Sequence, residues 1–128
     1  MRSAVRIPTE HEDQAALFRW VKLAAGAQPA LNLLYAIPNG GHRHKAVAAK
    51  LAAEGVKAGV PDLCLPVARG EFHGLYIEMK RTKGGTVSAV QKYWLAVLAA
   101  EGYCALRCNG WDDARQALTL YLDGRDPR

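Results

Sequence analysis

The chain has 128 residues, half of them hydrophobic and 23% charged, which excludes a disordered or low-complexity protein and fits one domain over 1–128, its core from about 9 to 122. No apolar run approaches the ~20 residues that a helix needs to cross a bilayer, and the first nine residues hold no apolar targeting core. Lys and Arg outnumber Asp and Glu by 17 to 12, and the net charge of +5 points to an anionic partner, of which nucleic acid is the commonest.

Thr9 is a good N-cap, and Glu12 three residues later completes a capping box for a helix running to about residue 25. Ala16, Leu17, Trp20, Val21 and Ala24 form its apolar stripe, and Gly26 and Pro29 end it. Residues 31–37 are a short apolar run and read as a strand. Pro38-Asn39-Gly40-Gly41 is a loop signal. Residues 43–54 read as a helix stopped by Gly55, and 56–61 as a loop. Residues 62–67 and 75–80 read as two strands of a hairpin around a polar turn punctuated by Gly70 and Gly74.

After a basic, glycine-containing loop, Ser88 caps the next helix with Gln91 in the reciprocal position. That helix should turn Val90, Trp94, Val97 and Leu98 inward and stop at Gly102. Residues 103–108 read as a strand, 111–122 as a final helix, and 123–128 as a frayed tail. The expected order is αβαββαβα. The three cysteines, Cys64, Cys104 and Cys108, are an odd number, and no signal peptide precedes them; this points to a reducing, cytosolic setting. No second Cys or His pair follows Cys104 and Cys108 at zinc-site spacing, so they read as buried thiols.

The hairpin carries the chemistry. Glu78 and Lys80 are two apart on a strand and leave the same face, while Ile77 and Met79 point to the other, buried face. A carboxylate beside an amine at a strand end suits metal-assisted phosphodiester hydrolysis, because the carboxylate can hold a hard divalent cation. One carboxylate is a poor magnesium site. Asp62, at the start of the preceding strand, supplies the second; Pro61 fixes its backbone and Gly59 permits a close approach.

Gly59-Val60-Pro61-Asp62 followed by Ile77-Glu78-Met79-Lys80 resembles the bipartite motif of PD-(D/E)xK nucleases. Glu12 and Gln14, then Ile37-Pro38-Asn39-Gly40-Gly41, then Gln91 extend the likeness to the VRR-Nuc branch over roughly residues 10 to 108. The resemblance implies an α/β, restriction-endonuclease-like domain with a central mixed sheet flanked by helices. It implies that Asp62, Glu78 and the backbone carbonyl of Met79 hold Mg2+ or Mn2+, and that Lys80 positions the attacking water. It places Glu12 and Gln91 in the catalytic set and implies DNA cleavage to 5′-phosphate and 3′-hydroxyl ends. Stand-alone relatives further imply a homodimer acting on branched DNA such as a four-way junction, in the cytoplasm of a bacterial or phage-infected cell. Trp111 and Tyr121 are the aromatics read as exposed enough to form its interface.

Several of these residues also have a purely structural reading. Glu12 and Gln91 are both third residues of capping boxes; Gln91 also aligns with Leu95 and Leu98, toward the cleft. The Asn39-Gly40 loop is either a plain turn or, with Arg43, His44 and Lys45 beside it, a phosphate contact. Arg81 and Lys83 are phosphate contacts or a solvated basic face. His42 and His44 lack a third ligand at metal-site spacing. The alternative function is a nucleic-acid-binding module that keeps the nuclease fold without cutting.

Overall fold

The Thr9 hydroxyl accepts the Glu12 N–H at 3.1 Å and the Glu12 carboxylate accepts the Thr9 N–H at 3.0 Å, so α1 (Glu10–Ala24) starts at the expected capping box. The computed structural model describes residues 6–38 and 45–128. On α1, Asp13, Leu17 and Val21 are buried at four-residue intervals, and Ala16, Trp20 and Ala24 flank them half-buried.

The strand expected over 31–37 is divided: its first three residues close a 3-10 helix, Pro29–Leu33, and only two form strand, β1 (Tyr35–Ala36). Pro29 presets the first helical turn. The burial period there is three: Leu31 and Leu34 enter the core while Leu33 is exposed. The next helix, α2 (Lys45–Ala53), has no buried residue. β2 (Leu63–Leu65) is shorter than the expected 62–67, since Pro66 has no N–H to extend a ladder.

β2 pairs antiparallel with β1 and with β3 (Leu75–Lys80), which is the expected hairpin. A right-handed type of crossover through α3 (Ala89–Ala100) is the usual link to a parallel neighbour, and β4 (Cys104–Asn109) lies parallel to β3. The last helix is α4 (Trp111–Leu122). The result is the expected α/β architecture: a mixed sheet in the order β1-β2-β3-β4 with helices on both faces.

Leu63, Leu65, Leu75, Ile77 and Met79 form one core with Leu17 and Val21 of α1 and with Ala114, Leu118 and Tyr121 of α4. Tyr121 is therefore not an exposed interface residue. It is fully buried on the α4 stripe, and its hydroxyl donates to the Val67 carbonyl at 2.6 Å. The opposite face is covered less well. α3 packs on β4 and has no fully buried residue; Trp94, Val97 and Leu98 are half-buried, and Val90, expected inside, is exposed.

The tail is held, not frayed. Arg125 N–H donates to the Leu120 carbonyl at 3.0 Å, and the Arg128 guanidinium lies 5.0 Å from the centre of the Phe72 ring. Cys104 and Cys108 are buried thiols, as expected, and Cys64 is one too; burial pushes Cys104 up to about 11 and Cys108 up to about 12. Among the described residues no helix is long and apolar enough to cross a membrane.

Candidate active site

Leu63 pairs with Ile77, so Asp62, one residue earlier, stands opposite Glu78. Opposed residues of an antiparallel pair send their side chains to the same face. The two carboxyl groups share a hydrogen bond. Asp62 Oδ2 also accepts the backbone N–H of Met79 at 2.7 Å, which ties the approach loop to β3 just past the last β2–β3 pair. That loop lies close under α3. Gly59 has φ +87°, and a Cβ there would stand 2.8 Å from the Val90 methyl groups, so the position requires glycine on both counts.

Lys80 Nζ is 3.6 Å from Glu78 Oε2, and Gln91 Nε2 donates to the same oxygen at 3.3 Å. Both members of the ion pair are buried: Glu78 is 2% exposed and Lys80 7%. Ile77 and Met79 are buried on the other face, as the alternation requires. Burial is the main reason that the Glu78 carboxyl is pushed up to about 8; the hydrogen bond and charge of Asp62 add to it, Lys80 opposes it, and Glu10 adds a little.

Glu78 Oε1 is buried with no hydrogen-bond partner. Two carboxyl groups forced together, one with an unsatisfied buried oxygen, form a donor set that fits a hard divalent cation. A residue's N–H and C=O leave the same edge of a strand. The Met79 carbonyl therefore shares the open edge at which its N–H meets Asp62. Among the described residues no three His, Cys, Asp or Glu side chains are grouped to hold a metal, and the Met79 carbonyl is placed to add a third oxygen to the two carboxyl groups.

Gln91 holds both positions read for it. Its Oε1 accepts the Ser88 N–H at 2.9 Å while its nitrogen reaches Glu78. Glu12 is engaged elsewhere: Arg6 clamps it with bonds of 2.7 and 2.8 Å, and these bonds, with the Thr9 cap, hold its carboxyl down at about 2. Gln14 is half-buried. Lys45, Arg81 and Lys83 are exposed, and Asn109 Nδ2 fastens the Arg81 carbonyl at 3.0 Å. Asn39, Gly40, Arg43 and His44, with Gly41 and His42, lie outside the described residues.

Two acidic residues escaped the sequence reading. Glu10, the first residue of α1, is the α1 carboxylate whose charge adds, last among the causes, to the raised Glu78 carboxyl. Asp13 is 3% exposed and its Oδ1 accepts the Trp111 N–H at 3.1 Å, which caps α4 from another element. The signal for Asp13 was its place four residues before Leu17 on the buried stripe.

The model of the VRR-NUC domain matches residues 9–112 of the chain. A solved structure described as "VRR_NUC domain protein" is 33% identical, covers 95% of this chain and 94% of that chain, and superposes with a TM-score of 0.79. No curated protein matches the chain.

Proposed function

The chain belongs to the VRR-NUC domain family, and on that premise we propose that it is a divalent-metal-dependent DNA nuclease with Asp62, Glu78 and Lys80 at its centre. The observation that carries this reading is the half-buried Asp62 set against the buried Glu78, with an unsatisfied Glu78 oxygen and Lys80 3.6 Å away.

Asp62, Glu78 and the Met79 carbonyl would hold Mg2+ or Mn2+, which when bound acidifies water and offsets phosphate charge. The remaining work falls to the chain. To hold the ion Glu78 would have to lose its proton to solvent. Lys80 orients the attacking water in line with the scissile bond and meets the negative charge that grows on the phosphate. Gln91 holds Glu78 from the α3 side. Glu10 or Glu12 at the start of α1 supplies a further carboxylate near the water; the charge that Glu10 exerts on Glu78 favours Glu10. The products are a 5′-phosphate and a 3′-hydroxyl. Arg81 and Lys83, exposed beyond β3, and Lys45 at the start of α2 contact the DNA backbone. Asn39, Gly40, Arg43 and His44 are further candidate DNA contacts in this reading, by sequence alone.

The finer reading is a symmetric homodimer that nicks branched DNA once per subunit. It is supported by apolar surface left on α3, where Val90 and Tyr93 are exposed, and by the prevalence of two-fold assemblies. The test is a panel of labelled single-stranded, duplex, flap and four-way-junction DNAs with magnesium, manganese or chelator, alongside sedimentation of the protein. Metal-dependent cutting is expected. A panel left intact with every metal overturns the nuclease reading, and a monomer with and without DNA overturns the dimer.

A further inference from the structure

The sheet face that carries Asp62, Glu78 and Lys80 continues into a row of tyrosines. Tyr35 on β1 pairs with Cys64 on β2, and Cys64 pairs with Tyr76 on β3, so the three side chains stand level on one face. Cys64 is two residues past Asp62, and Tyr76 is two residues before Glu78. Leu63 and Ile77, which intervene, point to the opposite, buried face. The row is therefore the next one along the strands from the two carboxyl groups, about 6.8 Å away.

The rings are open to solvent. Tyr35 is 50% exposed on an outer strand and Tyr76 is half-buried, while Cys64 between them is only 5% exposed. Both tyrosine hydroxyls share hydrogen bonds with the Cys64 thiol, so the two side chains lean over the small residue that separates them. Tyr76 meets Tyr103 edge-on, with ring centres 5.3 Å apart and planes at 79°. An edge-on contact leaves ring faces uncovered that a stacked pair would have used. α3 lies on this side of the sheet but packs chiefly on β4, at the far edge from Tyr35.

Along β3 the residues of this face read Tyr76, Glu78, Lys80, with Arg81 and Lys83 beyond: aromatic, acidic, then basic. Aromatic rings beside a basic track hold unpaired nucleic-acid strands, since every base has a flat face to stack. We infer that Tyr35 and Tyr76 form a stacking platform for an unpaired base of the DNA strand being cut, next to the scissile phosphate. This rests on the nuclease reading and names the substrate feature which that reading leaves open. Charge favours DNA over a second copy as the occupant, because the chain carries +5 and its basic residues follow on the same strand. A paired base must first leave its duplex stack, so an unpaired nucleotide at the cut binds at least cost. Stacking reads no hydrogen-bond pattern, so the platform accepts any base.

The test is binding by the whole protein in calcium, to DNA with a short single-stranded extension. The unpaired base is 2-aminopurine, a fluorescent adenine analogue that is quenched when it stacks. The parent protein should quench it. The double variant Tyr35→Leu with Tyr76→Leu should lose the quenching and bind the extended DNA about tenfold more weakly. The double variant Tyr35→Phe with Tyr76→Phe keeps both rings and should keep the quenching. Affinity for a fully paired duplex should change far less, a split that a misfolded protein would not show. Tyr35→Leu alone, at a half-exposed position, should give part of the loss. Unchanged quenching and affinity in the Leu proteins overturns the inference, and so does an equal loss on the paired duplex with Tyr35→Leu alone. A Tyr35→Leu protein that sediments differently yet binds the extension as before also overturns it, and assigns this face to a second copy. Binding is read without cutting. A protein that quenches through these rings but cleaves nothing with magnesium or manganese supports the platform and overturns the nuclease reading; cleavage by a protein whose binding ignores both rings does the reverse.

Discussion

Gln91 donates its side-chain N–H to Glu78 at 3.3 Å while the same amide accepts the Ser88 N–H at 2.9 Å. One side chain therefore starts a helix and fixes the orientation of a buried carboxyl group. The two jobs separate by substitution. Gln91→Glu keeps a residue able to close the capping box, so stability should fall by less than about 1 kcal/mol. It replaces the donor to Glu78 with a second carboxylate. Cleavage should drop at least tenfold while the melting temperature barely moves; unchanged cleavage would reduce Gln91 to a cap.

Asp62→Asn and Glu78→Gln should each abolish metal-dependent cleavage and leave the fold intact. DNA binding should persist or tighten, since each change removes negative charge beside phosphate. Calcium should support DNA binding by the unaltered protein but little cutting, because it coordinates loosely. Cleavage assays paired with binding measurements decide this, and an unaltered rate in either variant sinks the site assignment.

The raised Glu78 carboxyl has a definite effect on stability. The group titrates near 4.5 in the unfolded chain and near 8 in the metal-free fold. Between those values the folded state holds a proton that the unfolded state has lost, so stability falls as pH rises from about 5 to about 8. Glu78→Gln removes this term. Chemical denaturation at pH 5 and pH 8 should show the variant losing less stability than the parent over that range. Added magnesium or manganese should reverse the parent's loss at pH 8, because metal binding requires the deprotonated form.

At the start of α1 two glutamates are two residues apart and differ in engagement. Glu12→Gln retains the cap but loses the charge clamped by Arg6, an exposed pair of small worth. Glu10→Gln removes the charge felt by Glu78. Cleavage should fall more for Glu10→Gln than for Glu12→Gln. The opposite order would return the role to Glu12.

Much of this arrangement was legible in the sequence because local rules coincide with tertiary ones. Thr9 with Glu12 and Ser88 with Gln91 mark helix starts by chemistry that needs no partner elsewhere. The hairpin brought Asp62 and Glu78 onto neighbouring strands, but the register that sets them opposite each other came from the fold: strands 62–67 and 75–80 closed end to end would have set Asp62 opposite Lys80. The failures were contextual. Leu31 and Leu34 could serve a strand or a 3-10 turn, and Pro29 decided it. Tyr121 looked amphipathic until the Val67 carbonyl took its hydroxyl. Asp13 bonds to Trp111, 98 residues away, and no local pattern announces a cap supplied across that separation.

α3 bears on how long the Glu78 geometry persists. The helix holds Gln91 yet buries none of its residues fully, and its companion strand β3 is among the most enclosed elements of the protein. Free energies of local opening follow such differences in burial. Amide hydrogens in α3 should therefore exchange with solvent faster than those of β3, through excursions that lift Gln91 away while Asp62, Glu78 and Lys80 stay seated. Each excursion briefly leaves Glu78 with one fewer donor, so the pair of carboxyl groups is rigid in position and intermittent in its support.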